Sequence, residues 1–172
     1  MATLGPPLDY SFRNLSSVEE LQRRGPRRGV RRYRRSPGGL YRCVALRLNN
    51  NQLASVRGLH HAVFQVLEQP ERLTWLDLSF NMLSTVSSEL ASFSNLKILY
   101  LHGNLLKDFT HTLEVLKALS DLYNLTLHGN PIESKKGYRS KVLASLNKLR
   151  SLDFINVTQA ERERYVQTKK ER

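Results

Sequence analysis

Two histidines near the middle of the chain are the first residues whose type and setting could support chemistry. His102 and His128 each stand in the same tetrapeptide, Leu-His-Gly-Asn. Neutral imidazoles are common zinc ligands, and two of them close together would supply half of a tetrahedral site. No third ligand is placed convincingly beside them, so we expect no metal site. Cys43, the single cysteine, is expected to be a small buried hydrophobe rather than a nucleophile.

The two histidine tetrapeptides are parts of a longer repeat. Four stretches share one spacing of leucines and asparagine: CVALRLNNNQL at 43–53, LTWLDLSFNML at 73–83, LKILYLHGNLL at 96–106 and LYNLTLHGNPI at 122–132. A fifth stretch, LRSLDFINV at 149–157, begins alike but lacks the asparagine. Apart from that asparagine, all five fit L-x-x-L-x-L-x-x-N-x-L, the leucine-rich repeat, in which each unit is a strand followed by a helical or 3-10 return.

The spacing also predicts which side chains face inward. Alternate residues of a strand point to opposite faces, so the paired apolar residues of each unit should enter the core: Leu46 and Leu48, Leu76 and Leu78, Leu99 and Leu101, Leu125 and Leu127, Leu152 and Phe154. Four asparagines should bond the backbone where the chain leaves the sheet: Asn51, Asn81, Asn104 and Asn130. One unit cannot bury its own apolar face, so the units must stack. The sequence therefore predicts an α/β fold, a right-handed leucine-rich-repeat solenoid with parallel strands on its concave face and a C-terminal cap.

Charge divides the chain into three parts. Residues 1–42, an N-terminal capping segment with an arginine-rich arm, carry ten Arg and three acids, a net charge of +7. Residues 43–132, the four repeats, carry a net charge of −1, and residues 133–172, a cap with the fifth strand and a terminal helix, carry +6. No signal peptide, long apolar span or cysteine-rich cap is apparent, so we expect a soluble intracellular protein.

Both ends of the solenoid should be closed. Leu8, Tyr10 and Phe12 alternate with polar residues, and we expect residues 8–12 to pack on the open edge of the first repeat. The alternative is that this segment is a docking peptide. At the other end, Thr158 and Glu161 form a capping box that should begin the last helix.

The arginine-rich arm is the most unusual stretch of the sequence. Residues 23–35 hold eight arginines and few apolar side chains, so we expect residues 23–39 to be disordered in the free protein. Two interpretations stay open: a solvated linker, or a contact with a polyanion or an acidic partner. The candidate contact residues are Arg27, Arg28, Arg31, Arg32, Arg34 and Arg35. Ser36, in the sequence R-R-S-P, is a candidate for phosphorylation.

The solvent-facing positions of the strands should form the binding surface, because they line the concave face in rows about 4.8 Å apart. Trp75, Ile98 and Tyr100 are predicted neighbours there, and exposed aromatic residues flanked by charges are typical of a binding hot spot. The alternative is that the N-terminal arm covers them. The full candidate set for partner binding is Arg47, Trp75, Asp77, Ile98, Tyr100, His102, Thr126 and His128.

Catalysis is not expected on this face. Asp77 and Asp153 are separated by two intervening repeats, too far for paired-carboxylate chemistry. No glycine-rich loop follows a strand to hold a nucleotide cofactor. We therefore expect a protein that is not an enzyme, with no catalytic residues and no cofactor.

Several motifs resemble one family over nearly the whole chain. PPLDYSFR at 6–13, LDLSFN at 76–81, LYLHGN at 99–104, LTLHGNP at 125–131 and KGYR at 136–139 are similar to the leucine-rich repeat-containing protein 51 family. The resemblance implies a small cytoplasmic protein without assigned enzymatic activity. The C-terminal block also resembles the caps of the axonemal dynein leucine-rich light chain and of the spliceosomal A-prime protein.

Two functions follow as expectations. The first is a non-catalytic cytoplasmic module, monomeric by itself, that binds a protein partner on its concave face, with the ciliary axoneme as a setting suggested by analogy. The alternative is a component of a ribonucleoprotein, in which nucleic-acid contact would be secondary.

Overall fold

The computed structural model describes the backbone of residues 5–170 and the side chains of residues 5–164. Within this described part, seven short strands form one sheet in chain order: β1 (Leu8–Asp9), β2 (Ala45–Arg47), β3 (Trp75–Asp77), β4 (Ile98–Tyr100), β5 (Asn124–Thr126), β6 (Ser151–Leu152) and β7 (Ile155–Asn156). Strands β1 to β6 are parallel, and β7 is antiparallel to β6. The predicted solenoid is confirmed.

The returning segments contain short helices. The α-helices are α1 (Glu20–Arg24), α2 (Leu59–Phe64), α3 (Phe109–Lys117), α4 (Tyr138–Ser145) and α5 (Gln159–Lys170). Three 3-10 helices cover Pro70–Arg72, Ser88–Ser92 and Pro131–Ser134. Within residues 5–170, no helix is both long and apolar enough to cross a membrane.

The four repeat asparagines join neighbouring repeats, as the sequence predicts. The side-chain amide of Asn81 donates to the carbonyls of Leu48 and Leu78, each at 3.0 Å, and its oxygen accepts from the amide of Leu53 at 3.1 Å. Asn51, Asn104 and Asn130 repeat this arrangement. Each buried amide thereby satisfies backbone groups of two repeats, which leucine could not do.

The N-terminal segment continues the solenoid by one degenerate unit. Strand β1 pairs parallel to β2, with Leu8 opposite Leu46, and the side chains of Leu8 and Tyr10 are fully buried. The Tyr10 hydroxyl donates to the carbonyl of Leu21 at 2.9 Å, which fastens α1 to the strand. The expected packing of this segment on the first repeat is therefore present.

Phe12 differs from the prediction. Its side chain is 63% exposed and its backbone has a φ of 54°, so it lies in the turn after the strand and not in the core. The stretch L-D-Y-S-F at 8–12 matches L-D-L-S-F at 76–80, and Phe80 occupies the same kind of turn with a φ of 51°. The alternation of side chains between the two faces of the strand ends where the repeat turns. This is one residue earlier than the sequence interpretation assumed.

The arginine-rich arm is also ordered differently from the prediction. We expected residues 23–39 to be disordered, but Arg23 and Arg24 belong to α1, and later residues of the stretch are bonded to β1 and to the segment that precedes β2. The amide of Arg27 donates to the carbonyl of Asp9 at 2.6 Å, and the amide of Arg42 donates to the carbonyl of Arg34 at 2.9 Å. The exposed edge of β1 offers unpaired backbone groups, and the arm satisfies both the carbonyl and the amide of Asp9.

The C-terminal cap confirms one prediction and corrects another. Thr158 and Glu161 form the reciprocal capping box, since the backbone amide of each donates to a side-chain oxygen of the other within 3.3 Å. Phe154 was predicted to face the core beside Leu152, but its side chain is 58% exposed. Asp153 and Phe154 both have positive φ, and this tight turn folds β7 back on β6 and turns the ring outward.

Candidate functional site

Strands β3 and β4 position the predicted aromatic patch. Their register places Trp75 opposite Ile98 and Asp77 opposite Tyr100. The side chains of Trp75, Ile98 and Tyr100 are partly exposed, whereas the leucines between them are buried. The rings of Trp75 and Tyr100 meet edge to face, with centroids 6.0 Å apart. These three side chains form one surface that the N-terminal arm does not bury.

The two histidines lie next to this surface and stack on each other. The rings of His102 and His128 are 4.7 Å apart and nearly parallel, with an angle of 6°. His102 Nδ1 is 2.8 Å from the hydroxyl of Thr126, and His128 Nδ1 is 3.3 Å from a carboxylate oxygen of Asp153. Burial, and then the neighbouring His128, lower the pKa of His102. The pair is thus a ring stack with hydrogen-bonded edges.

The histidine pair does not extend to a metal-binding set. Among the residues that the structure describes, no group of three or more His, Cys, Asp or Glu side chains is arranged to hold a metal ion. Both Nδ1 atoms are engaged with neighbouring side chains.

Two phenylalanines complete the surface, and sequence reasoning missed both. Phe80 meets the ring of His102 edge to face at 5.0 Å, and Phe154 lies 5.4 Å from Tyr100 and within 5.7 Å of both histidines. We call Trp75, Ile98, Tyr100, Phe80, His102, His128 and Phe154 the concave aromatic surface. The signal for Phe80 was available, because a large ring stands where the later repeats have glycine at the same turn.

Gly103 makes room for the Phe80 ring. A Cβ atom at position 103 would lie 2.7 Å from Phe80 Cδ1, closer than van der Waals contact allows. The glycine also has a φ of 67°, which other residues adopt at a cost. The glycine of the LHGN tetrapeptide therefore serves both the turn and the packing of the neighbouring aromatic ring.

The charged candidates on this face have internal partners. Arg47 lies 3.6 Å from Asp9 across β1 and β2, and Asp77 accepts hydrogen bonds from the amide and hydroxyl of Ser79. Asp153 accepts from the amides of two residues of the preceding repeat and from the hydroxyl of Tyr138 at 2.8 Å. Asp77 and Asp153 thus stabilise turns of the solenoid through these hydrogen bonds. Thr126 is buried under the histidine stack and contacts it through its hydroxyl.

Several buried polar atoms of the concave face lack a hydrogen-bond partner within the described residues. They are Arg47 Nε, Trp75 Nε1, Asn49 Oδ1 and Asn124 Oδ1. Native structures leave few such groups unpaired, so each one marks a position where a further donor or acceptor would be favourable. The four atoms comprise two donors and two acceptors.

The arginine candidates lie at the other end of the sheet. Arg27, Arg28, Arg31, Arg32 and Arg35 line an open recess of about 650 Å³ together with Tyr33 and Tyr41. Arg34 is outside this lining, and its carbonyl is bonded to Arg42. Ser36 is partly buried, and its hydroxyl accepts from the amide of Leu40 at 3.1 Å. The structure thus separates the sequence candidates into two surfaces.

Cys43 is buried, as expected, and belongs to neither surface. Burial raises the pKa of its thiol, which disfavours the nucleophilic thiolate.

Comparison with known proteins agrees with the geometry. A family model described as leucine-rich repeat matches residues 62–172. Together with the parallel sheet and the asparagine ladder, this match defines a leucine-rich-repeat protein.

Comparison with individual proteins identifies the family within this class. Leucine-rich repeat-containing protein 51 of Bos taurus is 47% identical over 157 residues, which are 91% of this chain and 81% of that protein. The Homo sapiens protein of the same name is 45% identical with the same coverage. The chain belongs to the leucine-rich repeat-containing protein 51 family.

The solved structures provide an independent comparison of the fold. A chain of the Drosophila melanogaster SNF/U2A' complex matches with a TM-score of 0.65 at 22% identity, covering 87% of this chain and 89% of that one. A chain of the Chaetomium Mex67:Mtr2 structure matches with a TM-score of 0.53 at 24% identity, covering 64% of this chain and 76% of that one. At these identities the likeness establishes the fold alone.

Proposed function

We propose that the protein is a non-catalytic interaction module that binds a protein segment on the concave aromatic surface. The observation that carries the proposal is the contiguous cluster around Trp75 and Tyr100, whose rings meet at 6.0 Å while remaining partly exposed. Clusters of Trp and Tyr with apolar neighbours are the usual centres of binding energy at protein interfaces. Large exposed apolar patches on a soluble domain mark such interfaces.

The unpaired polar atoms also favour partner binding on the concave face. Two donors and two acceptors lie buried there without partners in the described residues. A polypeptide carries both kinds of group along its backbone, so a bound extended or helical segment supplies partners for the indole of Trp75 and the amide oxygen of Asn124 when the side chains that cover these atoms move aside. This complementarity favours a protein segment over a purely apolar ligand.

The test compares binding by two variants that each remove an aromatic side chain, from different faces of the solenoid. A partner captured by proximity labelling would be purified and its affinity measured for wild type, Trp75→Ala and Phe64→Ala. Phe64 is 46% exposed on α2, beside His60 and outside the sheet, so it is an aromatic control from another face. We expect Trp75→Ala to weaken binding by about 2 kcal/mol, or about 30-fold, and Phe64→Ala to have little effect.

The opposite pattern would contradict the proposal. If Phe64→Ala weakens binding and Trp75→Ala does not, the partner contacts the helical side of the solenoid. Thermal unfolding of both variants serves as the control, because neither side chain belongs to the buried core.

The cytoplasm is the setting that we propose, with the ciliary axoneme as its most specific form. The support is the analogy of the C-terminal cap with that of the axonemal dynein light chain. A fluorescent fusion in ciliated cells would test this setting, and exclusion from cilia would contradict it. We also propose that the free protein is a monomer, which light scattering would test.

A ribonucleoprotein component is the second candidate. Its support is the basic charge of both ends, +7 over residues 1–42 and +6 over residues 133–172. Binding to nucleic acid should weaken steeply as salt rises, because it depends on counterion release. Binding centred on Trp75 should depend little on salt, so one titration of the captured complex distinguishes the two candidates.

A further inference from the structure

The arginine loop, residues 25–35, forms a second surface that the proposed function does not use. Five of its arginines surround an open recess of about 650 Å³, with Tyr33 and Tyr41 in its lining: Arg27, Arg28, Arg31, Arg32 and Arg35. All five guanidinium-bearing residues are exposed. The recess therefore presents a concentration of positive charge at the N-terminal end of the solenoid.

Backbone and tyrosine contacts hold the loop in place. The amide of Arg27 donates to the carbonyl of Asp9 at 2.6 Å, and the hydroxyl of Tyr33 donates to the carbonyl of Arg27 at 2.9 Å. The same hydroxyl accepts from the amide of Asp9 at 3.3 Å, and Arg34 is bonded through its carbonyl to Arg42. Because the loop is ordered before any ligand arrives, binding does not have to pay for fixing its backbone.

Three of the arginines have no partner in the described part of the chain. Arg28, Arg31 and Arg32 make no hydrogen bond, ion pair or ring contact with residues 5–164. Nearby acids are already engaged, since Asp9 lies beside Arg47 and Glu20 beside Arg24. The excess charge of this region is therefore available to a ligand from outside the chain.

The shape and composition of the recess disfavour nucleic acid as its ligand. Tyr33 and Tyr41 meet edge to face at 5.6 Å, and the guanidinium of Arg35 lies 4.1 Å above the ring of Tyr41. Tyr41 is nearly buried, so Tyr33 is the one partly exposed ring in the lining, and a single ring is little platform for successive stacked bases. The repeats beyond the loop carry a net charge of −1, so no continuous positive track follows the solenoid.

A membrane surface is also a poor match for the arginine loop. Val30 is the one fully exposed apolar residue of the loop, and membrane-surface segments present a whole apolar face. Carboxylates, in contrast, fit the planar fork of each guanidinium and need no aromatic platform.

We propose that the recess binds an acidic protein segment, with several Asp or Glu side chains contacting Arg28, Arg31 and Arg32. This site is separate from the concave aromatic surface. A single partner could occupy both, or two partners could each occupy one.

The test uses the full chain and a fluorescein-labelled oligoglutamate peptide in fluorescence anisotropy. The variant Arg28→Glu/Arg31→Glu/Arg32→Glu reverses the three unpaired charges. The matched control Arg57→Glu/Lys107→Glu/Lys117→Glu makes the same change in net charge at exposed positions of the repeats. We expect the loop variant to weaken binding by about tenfold or more and the control by much less. Circular dichroism and thermal unfolding confirm that both variants are folded.

Further measurements identify the chemical class of ligand that the recess binds. Equal losses in the two charge variants would overturn the proposal, because the attraction would then depend on net charge alone. Oligothymidylate and phosphatidylcholine vesicles that contain phosphatidylserine are tested in the same way. If either binds more tightly than oligoglutamate and the loop variant abolishes that binding, the assignment to an acidic protein segment is overturned. Trp75→Ala should leave oligoglutamate binding unchanged, so failure here is distinct from failure of the concave-face proposal.

Discussion

The histidine stack is the part of the concave aromatic surface whose charge depends on pH. His102 is flanked by the rings of His128, Phe80 and Phe154 and is bonded to Thr126. Burial and the second imidazole oppose its protonation, and both effects lower its pKa, while Asp77 and Asp153 act in the opposite direction. The surface is consequently neutral and apolar at this point when the histidine is unprotonated.

This environment predicts a loss of stability in mild acid. The pKa of His102 is lower in the folded than in the unfolded chain, so the unfolded chain binds the proton more tightly. The free energy of unfolding should therefore fall as pH drops below about 6.5, the value of a free imidazole. Urea unfolding of wild type and His102→Gln on both sides of that pH measures the effect, and the variant should lose less stability.

His61→Gln is the matched control, because His61 is exposed on α2. An identical acid-induced loss in wild type and His102→Gln would show that the stack does not contribute.

At the scale of elements, β1 and α1 close the N-terminal end of the sheet. β1 has the strand and turn of a repeat but is followed by α1 and the arginine loop instead of a full leucine-rich return. The Asn51 side chain donates to the carbonyl of Tyr10 at 3.0 Å and accepts from the amides of Arg13 and Leu15, so the asparagine ladder extends into this unit. The segment is therefore an integral end cap.

Two neighbouring aromatic residues test the cap. Tyr10 is fully buried, whereas Phe12 is 63% exposed. Tyr10→Ala should lower the free energy of unfolding by about 3–5 kcal/mol, as expected for removing a buried aromatic side chain. Phe12→Ala should change it by about 0.5 kcal/mol or less. Equal effects in chemical unfolding would show that residues 8–12 dock elsewhere in solution.

At the scale of the whole molecule, one continuous core runs from the N-terminal cap to the C-terminal cap. Inward leucines of every strand from β1 to β6 are fully buried: Leu8, Leu46, Leu76, Leu99, Leu125 and Leu152. Each repeat contacts mainly its neighbours, so stability depends on the interfaces between repeats. A defect in a central repeat removes contacts on both of its sides.

Leu101 is the position where this dependence is measured most directly. Its side chain is fully buried in a central repeat, and Leu105, in the same turn, is 45% exposed. Leu101→Ala should lower the free energy of unfolding by about 2–5 kcal/mol, and Leu105→Ala by about 0.5 kcal/mol or less. Urea unfolding provides the measurement. A small effect at Leu101 would contradict a continuous core at this repeat.

The register of the repeats can be predicted from the spacing of residues along the chain. The inward leucines and the four bridging asparagines follow from local spacing, because the period of a strand and the position of its turn are encoded within a few residues. The adjacency of Trp75, Ile98 and Tyr100 follows from the same periodicity, because stacked repeats place equivalent positions side by side.

Which further side chains join that surface, and how the arm is held, depends on contacts that form in the folded chain. Phe80 and Phe154 reach the histidine stack through turns with positive φ, a conformation that alternation does not specify. The arginine loop is held by two bonds of Asp9, whose carbonyl accepts from the amide of Arg27 and whose amide donates to the hydroxyl of Tyr33, residues far apart from it in the sequence. Such pairings depend on the exposed edge that β1 creates after folding, and no local property of an arginine-rich stretch encodes that edge.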